Sequence, residues 1–151
     1  MALQKTQVSI ILVVGALVAV SALVSGLLIA SQTIPNTGNV KAIGVGVYSD
    51  SACTQEVLSI PWGNLDPGET SDETVYICNE GNVAVVLSIT AENWDPPSAS
   101  SYMTLSWNLE EGYALNHGQS VETELTLSVS SSVSGVEDFT FDIVITGTES
   151  K

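Results

Sequence analysis

Two cysteines and one histidine are the side chains in this sequence best suited to chemistry. Cys53 and Cys78 form an even pair in a chain with a hydrophobic N-terminal segment, and an oxidising compartment would join them in a disulfide. If Val75 and Ile77 point into a core, Cys78 points outward, and the bridge requires residues 50–54 to fold over that face. Two unpaired thiols are the alternative.

His117 is the single histidine and lies between Asn116 and Gly118, in a stretch typical of a turn. No cysteine, serine or acid is spaced to act with it. The sequence has no HExxH zinc pattern, no glycine-rich phosphate loop and no nucleophile elbow. We therefore expect no catalytic residue, no cofactor, no small-molecule substrate and no enzymatic activity.

The acidic residues fall in short clusters that raise the question of calcium. These are Asp66 and Glu69, Asp72 and Glu73, Glu110 and Glu111, and Glu137, Asp138 and Asp142. Calcium binds loop carboxylates, but none of these spacings matches an EF-hand loop. Solvated surface charge is the favoured interpretation, and no metal site is predicted.

The three tryptophans are candidates for the core or for a sugar-binding surface. Trp62, Trp94 and Trp107 are expected to fill the space between two layers, Trp107 above all because apolar and polar residues alternate around it. A sugar platform, the alternative, needs an exposed coplanar pair of rings.

Charge is distributed very unevenly along the chain. Residues 31–151 hold two lysines and all 17 acidic residues, a formal net charge of −15. Such a field repels nucleic acid and disfavours docking on anionic lipid. Nucleic acid is therefore excluded as a partner.

Residues 8–30 are 23 uncharged residues, 14 of them valine, isoleucine or leucine, which is long enough to cross a bilayer as a helix. Lys5 and the amino terminus make residues 1–7 a short cytoplasmic start, so the acidic body faces outward. A cleaved signal segment is the alternative. Small residues four apart, which allow close helix packing, are Gly15 and Ala19, and Ala22 and Gly26.

After residue 30 the apolar residues alternate in short runs, which predicts half-buried antiparallel strands. The predicted strands are 41–48, a short one near 56–60, 74–78, 83–89, 104–109, 121–129 and 139–145. Strands 74–78 and 83–89 are predicted to form a hairpin around residues 79–82. We expect an all-β, immunoglobulin-like antiparallel sandwich of about seven strands over residues 40–151, preceded by the hydrophobic helix.

Residues 31–39 are predicted to be a tether, because Pro35 lacks a backbone donor and Gly38 lacks a side chain. The following segment places Ile43, Val45 and Val47 on one face of a strand. If copies of the chain polymerise, we expect this apolar face to be the one exchanged between subunits. The first strand of the chain's own sandwich is the alternative.

Several motifs resemble known protein groups. Residues 45–54, 62–69, 79–82 and 139–148 resemble small archaeal surface proteins that join a hydrophobic segment to one sandwich domain. Residues 65–69, 75–77 and 79–82 are similar to the TasA and camelysin family and to archaeal bundling pili. That likeness implies extracellular fibres built by strand donation. Lys5-Thr6 ahead of the apolar run is similar to the class III signal of archaeal pilins, which implies cleavage after Thr6.

Together these features predict a non-enzymatic structural or adhesive protein of the cell surface. The predicted partners are the membrane, through residues 8–30, and other copies of the chain. A subunit of an extracellular filament is the second hypothesis. A secreted hydrolase or carbohydrate-binding module is the third, and the lack of paired catalytic groups argues against it.

Overall fold

The computed structural model describes residues 34–151. The predicted start at 1–7, the hydrophobic segment at 8–30 and its packing residues Gly15, Ala19, Ala22 and Gly26 lie outside the described residues. Within residues 34–151, no helix has the length and apolar character needed to cross a membrane.

The described chain forms nine strands and one short 3-10 helix, where about seven strands were predicted. They are β1 (Ile34–Ile43), β2 (Gly46–Tyr48), β3 (Ser59–Leu65), β4 (Thr70–Cys78), β5 (Val85–Asp95), the 3-10 helix (Pro97–Ser101), β6 (Met103–Trp107), β7 (Ala114–Leu115), β8 (Ser120–Val129) and β9 (Phe139–Glu149). The strands form a five-stranded sheet in the order β3-β1-β9-β5-β7 and a four-stranded sheet in the order β2-β4-β8-β6. Neighbouring strands are antiparallel, except that β1 and β9 are parallel.

The core lies between the two sheets and is filled by alternate residues of each strand. On β9, the inward side chains are Phe139, Phe141, Ile143 and Ile145, all buried. Trp94 of β5 stacks on Phe141 with ring centroids 4.3 Å apart. The all-β sandwich predicted from alternation is therefore confirmed.

The predicted tether is wrong from residue 34 onward, because those residues begin an interior strand. β1 pairs with β3 on one side and β9 on the other. Pro35 pairs only with β3, since the β9 ladder begins at Asn36, so its missing N–H interrupts no bond to β9. A Cβ at Gly38 would lie 2.9 Å from both Ile143 Cδ1 and Trp62 Nε1. The missing side chain is therefore what lets β1 pack here.

The predicted strand 41–48 is also wrong, because it divides into β1 and β2 in different sheets. Gly44 has a φ of +73°, a conformation that favours glycine, and a Cβ there would lie 2.6 Å from the Gly147 carbonyl oxygen. Val45 and Val47 are buried, whereas Ile43 is 55% exposed. The three residues therefore do not form one continuous apolar face.

The predicted hairpin between 74–78 and 83–89 does not form, because β4 and β5 belong to different sheets. Residues 79–84 carry the chain across, fixed by the buried side chain of Asn79. Its Nδ2 donates to the carbonyls of Val83 at 2.8 Å and Leu115 at 3.0 Å, and its Oδ1 accepts from the Gly81 N–H. These bonds satisfy polar groups that a crossing between sheets would leave buried and unpaired.

The short strand predicted near 56–60 is displaced to β3, which spans Ser59–Leu65. Pro61 and Gly63 obscured it in the sequence. The register with β1 shifts at Trp62, where two residues of β3 span one step of β1, and Gly63 has a φ of +78°. This bulge points the Trp62 ring into the core.

Candidate functional site

The predicted disulfide between Cys53 and Cys78 is confirmed, with the two Cα atoms 6.4 Å apart. Cys78 follows Tyr76 on the outer face of β4, and the loop after β2 folds back over it, as the bridge requires. Burial raises the pKa of Asp50, but hydrogen bonds from the Gln55 N–H and from Thr54 outweigh it, and the net pKa is lowered. The ionised Asp50 carboxylate thus closes the loop that carries Cys53.

The outer face of the four-stranded sheet pairs tyrosines with acids. Tyr48 donates its hydroxyl to Glu80, and Tyr76 donates to Glu122 at 2.7 Å. These hydrogen bonds are the main cause that raises the pKa of each tyrosine, because losing the proton would place two negative charges together. Both phenols remain neutral donors near neutral pH and cannot act as bases there.

The outer face of the five-stranded sheet carries one ion pair, which joins three strands. Asp142 of β9 accepts from Asn93 Nδ2 at 2.6 Å and from Lys41 Nζ at 2.5 Å. The Asn93 bond, followed by the Lys41 bond, lowers the pKa of Asp142. Since Asp142 is nearly buried and already has partners for its charge, this cluster ties β1 and β5 to β9.

Three carboxylates of the predicted acidic clusters make structural contacts. Glu69 closes a turn by accepting from the Asp66 N–H at 2.7 Å, and Asp72 accepts from the Thr126 hydroxyl at 2.6 Å. Asp142 lies on the sheet, away from the loop that carries Glu137 and Asp138. No three metal-binding side chains come together between residues 34 and 151.

The histidine and the tryptophans occupy structural positions. His117 is exposed in the turn between β7 and β8. Trp62 is buried in the core, and Trp94 is half-buried with its ring stacked on Phe141. Trp107, the tryptophan most expected in the core, is only half-buried because β6 lies at the edge of its sheet.

Two of the shallow clefts on the described surface are lined by different strands. One, of about 320 Å³, has walls from the start of β1, the bulge of β3 and the start of β9, including Pro35, Asn36 and Phe139. Near it the buried Asn36 Oδ1 and Trp62 Nε1 have no hydrogen-bond partner among the described residues. The other, of about 280 Å³, lies between Ile89 and Trp107. Ser88 and Glu111 line the second cleft, and Thr140 and Asp138 line the first. No hydrogen bond joins the hydroxyl to the carboxylate in either described cleft.

Sequence reasoning missed two structural features. The role of Asn79 as a buried crosslink was hidden by its place in an apparent hairpin turn. The exposed edge of β6 was hidden because alternation shows which face of a strand is buried and says nothing of its neighbours. The uncharged stretch around β6 was the one feature of the sequence that could have indicated this exposed edge.

No family model matches the chain, and no curated protein matches it either.

Proposed function

We propose that this chain is a non-enzymatic structural or adhesive protein of the cell surface. Residues 8–30 anchor it, and an acidic, immunoglobulin-like sandwich stands outside the membrane. Two packed sheets in fewer than 120 residues have the size and layering of an immunoglobulin-like domain. Export by way of residues 8–30 places the domain where the disulfide can form.

The Cys53–Cys78 disulfide is the observation that carries this proposal. Disulfides persist in oxidising compartments and are rare in the cytosol. The acidic surface adds support, because a high net charge keeps an exported domain soluble. Some of its carboxylates, such as Asp50, Glu69 and Asp142, are held in turn and sheet contacts.

Membrane extraction and protease treatment test the proposal together. The full chain should stay with the membrane through carbonate washing, and protease added to intact cells should remove the acidic domain. Thiol alkylation of the denatured protein should label neither cysteine until a reductant is added. Release by carbonate, protection of the domain in intact cells or labelling without reductant would each contradict the proposal.

A filament subunit is the second candidate, and the position of β1 favours it. The first strand lies inside the five-stranded sheet between β3 and β9, where a strand supplied by a neighbouring copy would also complete the sheet. The exchanged unit would then be Ile34–Ile43, in place of the face of Ile43, Val45 and Val47 first expected. Mass spectrometry of the mature N-terminus separates the candidates: an intact start indicates an anchor, Gln7 a pilin-like subunit, and a start near Ser31 a secreted or strand-donating form.

A further inference from the structure

The two sheets have four edge strands among the described residues, and three of these carry features that block pairing with another strand. β3 contains Pro61 and the bulge at Trp62. β2 has three residues, and Glu56 bridges to Tyr48 beside it. β7 has two residues, and the part of β5 beyond it carries Glu92 and the bulge at Asn93.

The fourth edge strand, β6, has none of these features. Met103–Trp107 contains no proline and no charge, and its register with β8 is uninterrupted. It lies within 14 uncharged residues, 96–109, the longest such stretch after residue 30 in a strongly acidic domain. The side chains of Leu105 and Trp107 on its inner face are only half-buried.

The hydrogen bonds of β6 show which backbone groups are free. Asn108 donates to the Glu124 carbonyl, and Ser130 donates to the Tyr102 carbonyl. Because bonded and non-bonded residues alternate in an antiparallel ladder, even-numbered residues of β6 bond to β8. The N–H and C=O groups of Met103, Leu105 and Trp107 therefore point away from the sheet.

We propose that β6 pairs antiparallel with β6 of a second copy, centred on Leu105; this rests on the proposed structural or adhesive role of the domain. Leu105 then lies opposite Leu105, and Met103 opposite Trp107. These are the residues whose backbone groups point outward, so each opposed pair exchanges two hydrogen bonds. The register that satisfies the backbone also brings the partly buried Leu105 side chains of the two copies together on one face.

The self-complementary register favours a second copy as the partner, and the lack of charge along β6 removes the main obstacle to it. Two domains that each carry 17 acids and two lysines repel one another across most approaches. Along β6 the directly opposed outer side chains are Thr104 and Ser106, which form a favourable cross-strand pair without carboxylates. The contact is small by the standard of stable dimers, so we expect weak association that strengthens when copies are concentrated on one membrane.

Cysteine crosslinking tests the register directly. Thr104 and Ser106 of the other copy form a non-bonded pair with Cα atoms about 4.5 Å apart, which a disulfide can span. Full-length Thr104→Cys and Ser106→Cys chains in neutral detergent should crosslink several-fold more when mixed than when either is oxidised alone. Within one variant the two cysteines lie diagonally, about 7–8 Å apart, too far for efficient bridging.

Ser59→Cys on the blunted edge strand β3 is the matched control and should crosslink weakly in every mixture. Thermal unfolding of each variant checks that the sandwich is intact; Thr104 and Ser106 are both exposed, so neither change disturbs the core. Equal crosslinking in all samples, or none in the mixed one, would overturn the proposal. Because the assay is done in detergent, its result is independent of whether carbonate releases the chain from membranes.

Discussion

β1 is composed largely of small and polar residues and β6 has methionine, leucine and tryptophan at three of its five positions, yet β1 lies inside a sheet and β6 at a border. β1 is held by ladders on both sides, by close packing at Gly38 and by the ion pair of Lys41 with Asp142. β6 has one ladder and two half-buried apolar side chains. The composition of a strand thus says little about its burial. The number of neighbouring strands in the sheet determines how far a strand is buried.

The largest difference between the two regions should appear when an aromatic side chain is removed. Phe141 lies opposite Gly38 of β1 and is 1% exposed, so Phe141→Ala should lower the free energy of unfolding by about 3–5 kcal/mol. Trp107→Ala on β6 should cost clearly less, because the Trp107 side chain is already partly exposed to water. Chemical denaturation of both variants measures the two changes in the free energy of unfolding. Equal changes would contradict the claim that side chains of β6 are less buried than those at the centre of the five-stranded sheet.

The border of the four-stranded sheet opposite β6 is held by the disulfide. Replacing both Cys53 and Cys78 with serine opens a loop of 25 residues and should cost about 3 kcal/mol, chiefly through the entropy of the unfolded chain. Urea unfolding of this variant should match that of the reduced wild type. A stability that the double replacement leaves unchanged would show that the loop is held by Asp50 and its hydrogen bonds alone.

Adding side-chain volume should separate β1 from β6 by a smaller amount. Gly38→Val forces Ile143 and Trp62 apart and should cost about 1–3 kcal/mol. Ser106→Val, the matched change on the exposed face of β6, should alter stability by less than about 0.5 kcal/mol. Thermal melts of the two variants are the measurement, and a harmless Gly38→Val would contradict the close packing of β1.

The smallest expected effect concerns acid. The pKa of Asp142 is lowered from 3.8 by Asn93 and Lys41, so its carboxylate stabilises the fold above that pH. This contribution is lost as the pH falls through the lowered folded-state pKa. Asp142→Asn should therefore be less stable than the wild type at neutral pH, with the gap closing below about pH 4. A stability difference between the two proteins that stays constant as the pH falls would show that the ionised form of Asp142 does not stabilise the fold.

The sequence predicted the sandwich and the disulfide, because alternation and an even cysteine pair are local signals. It failed where a residue acts through contacts distant in the chain. Gly38 and Pro35 resembled a tether because the partners that require or tolerate them, on β3 and β9, lie far along the sequence. Asn79 resembled a turn residue for the same reason. The direction of the free groups of β6 depends on its register with β8, which no local pattern contains.

Amide hydrogen exchange of the full chain in detergent tests most directly the claim that β1 is an interior strand and β6 an open edge. Amides of residues 36–43 should exchange about as slowly as those of β9, their ladder partner. The amides of Met103, Leu105 and Trp107 should exchange faster in dilute protein and slow down as its concentration rises. If the amides of residues 34–39 exchange at the rate of an unstructured peptide, these residues are not part of an interior strand, and the prediction of a tether over residues 31–39 is correct.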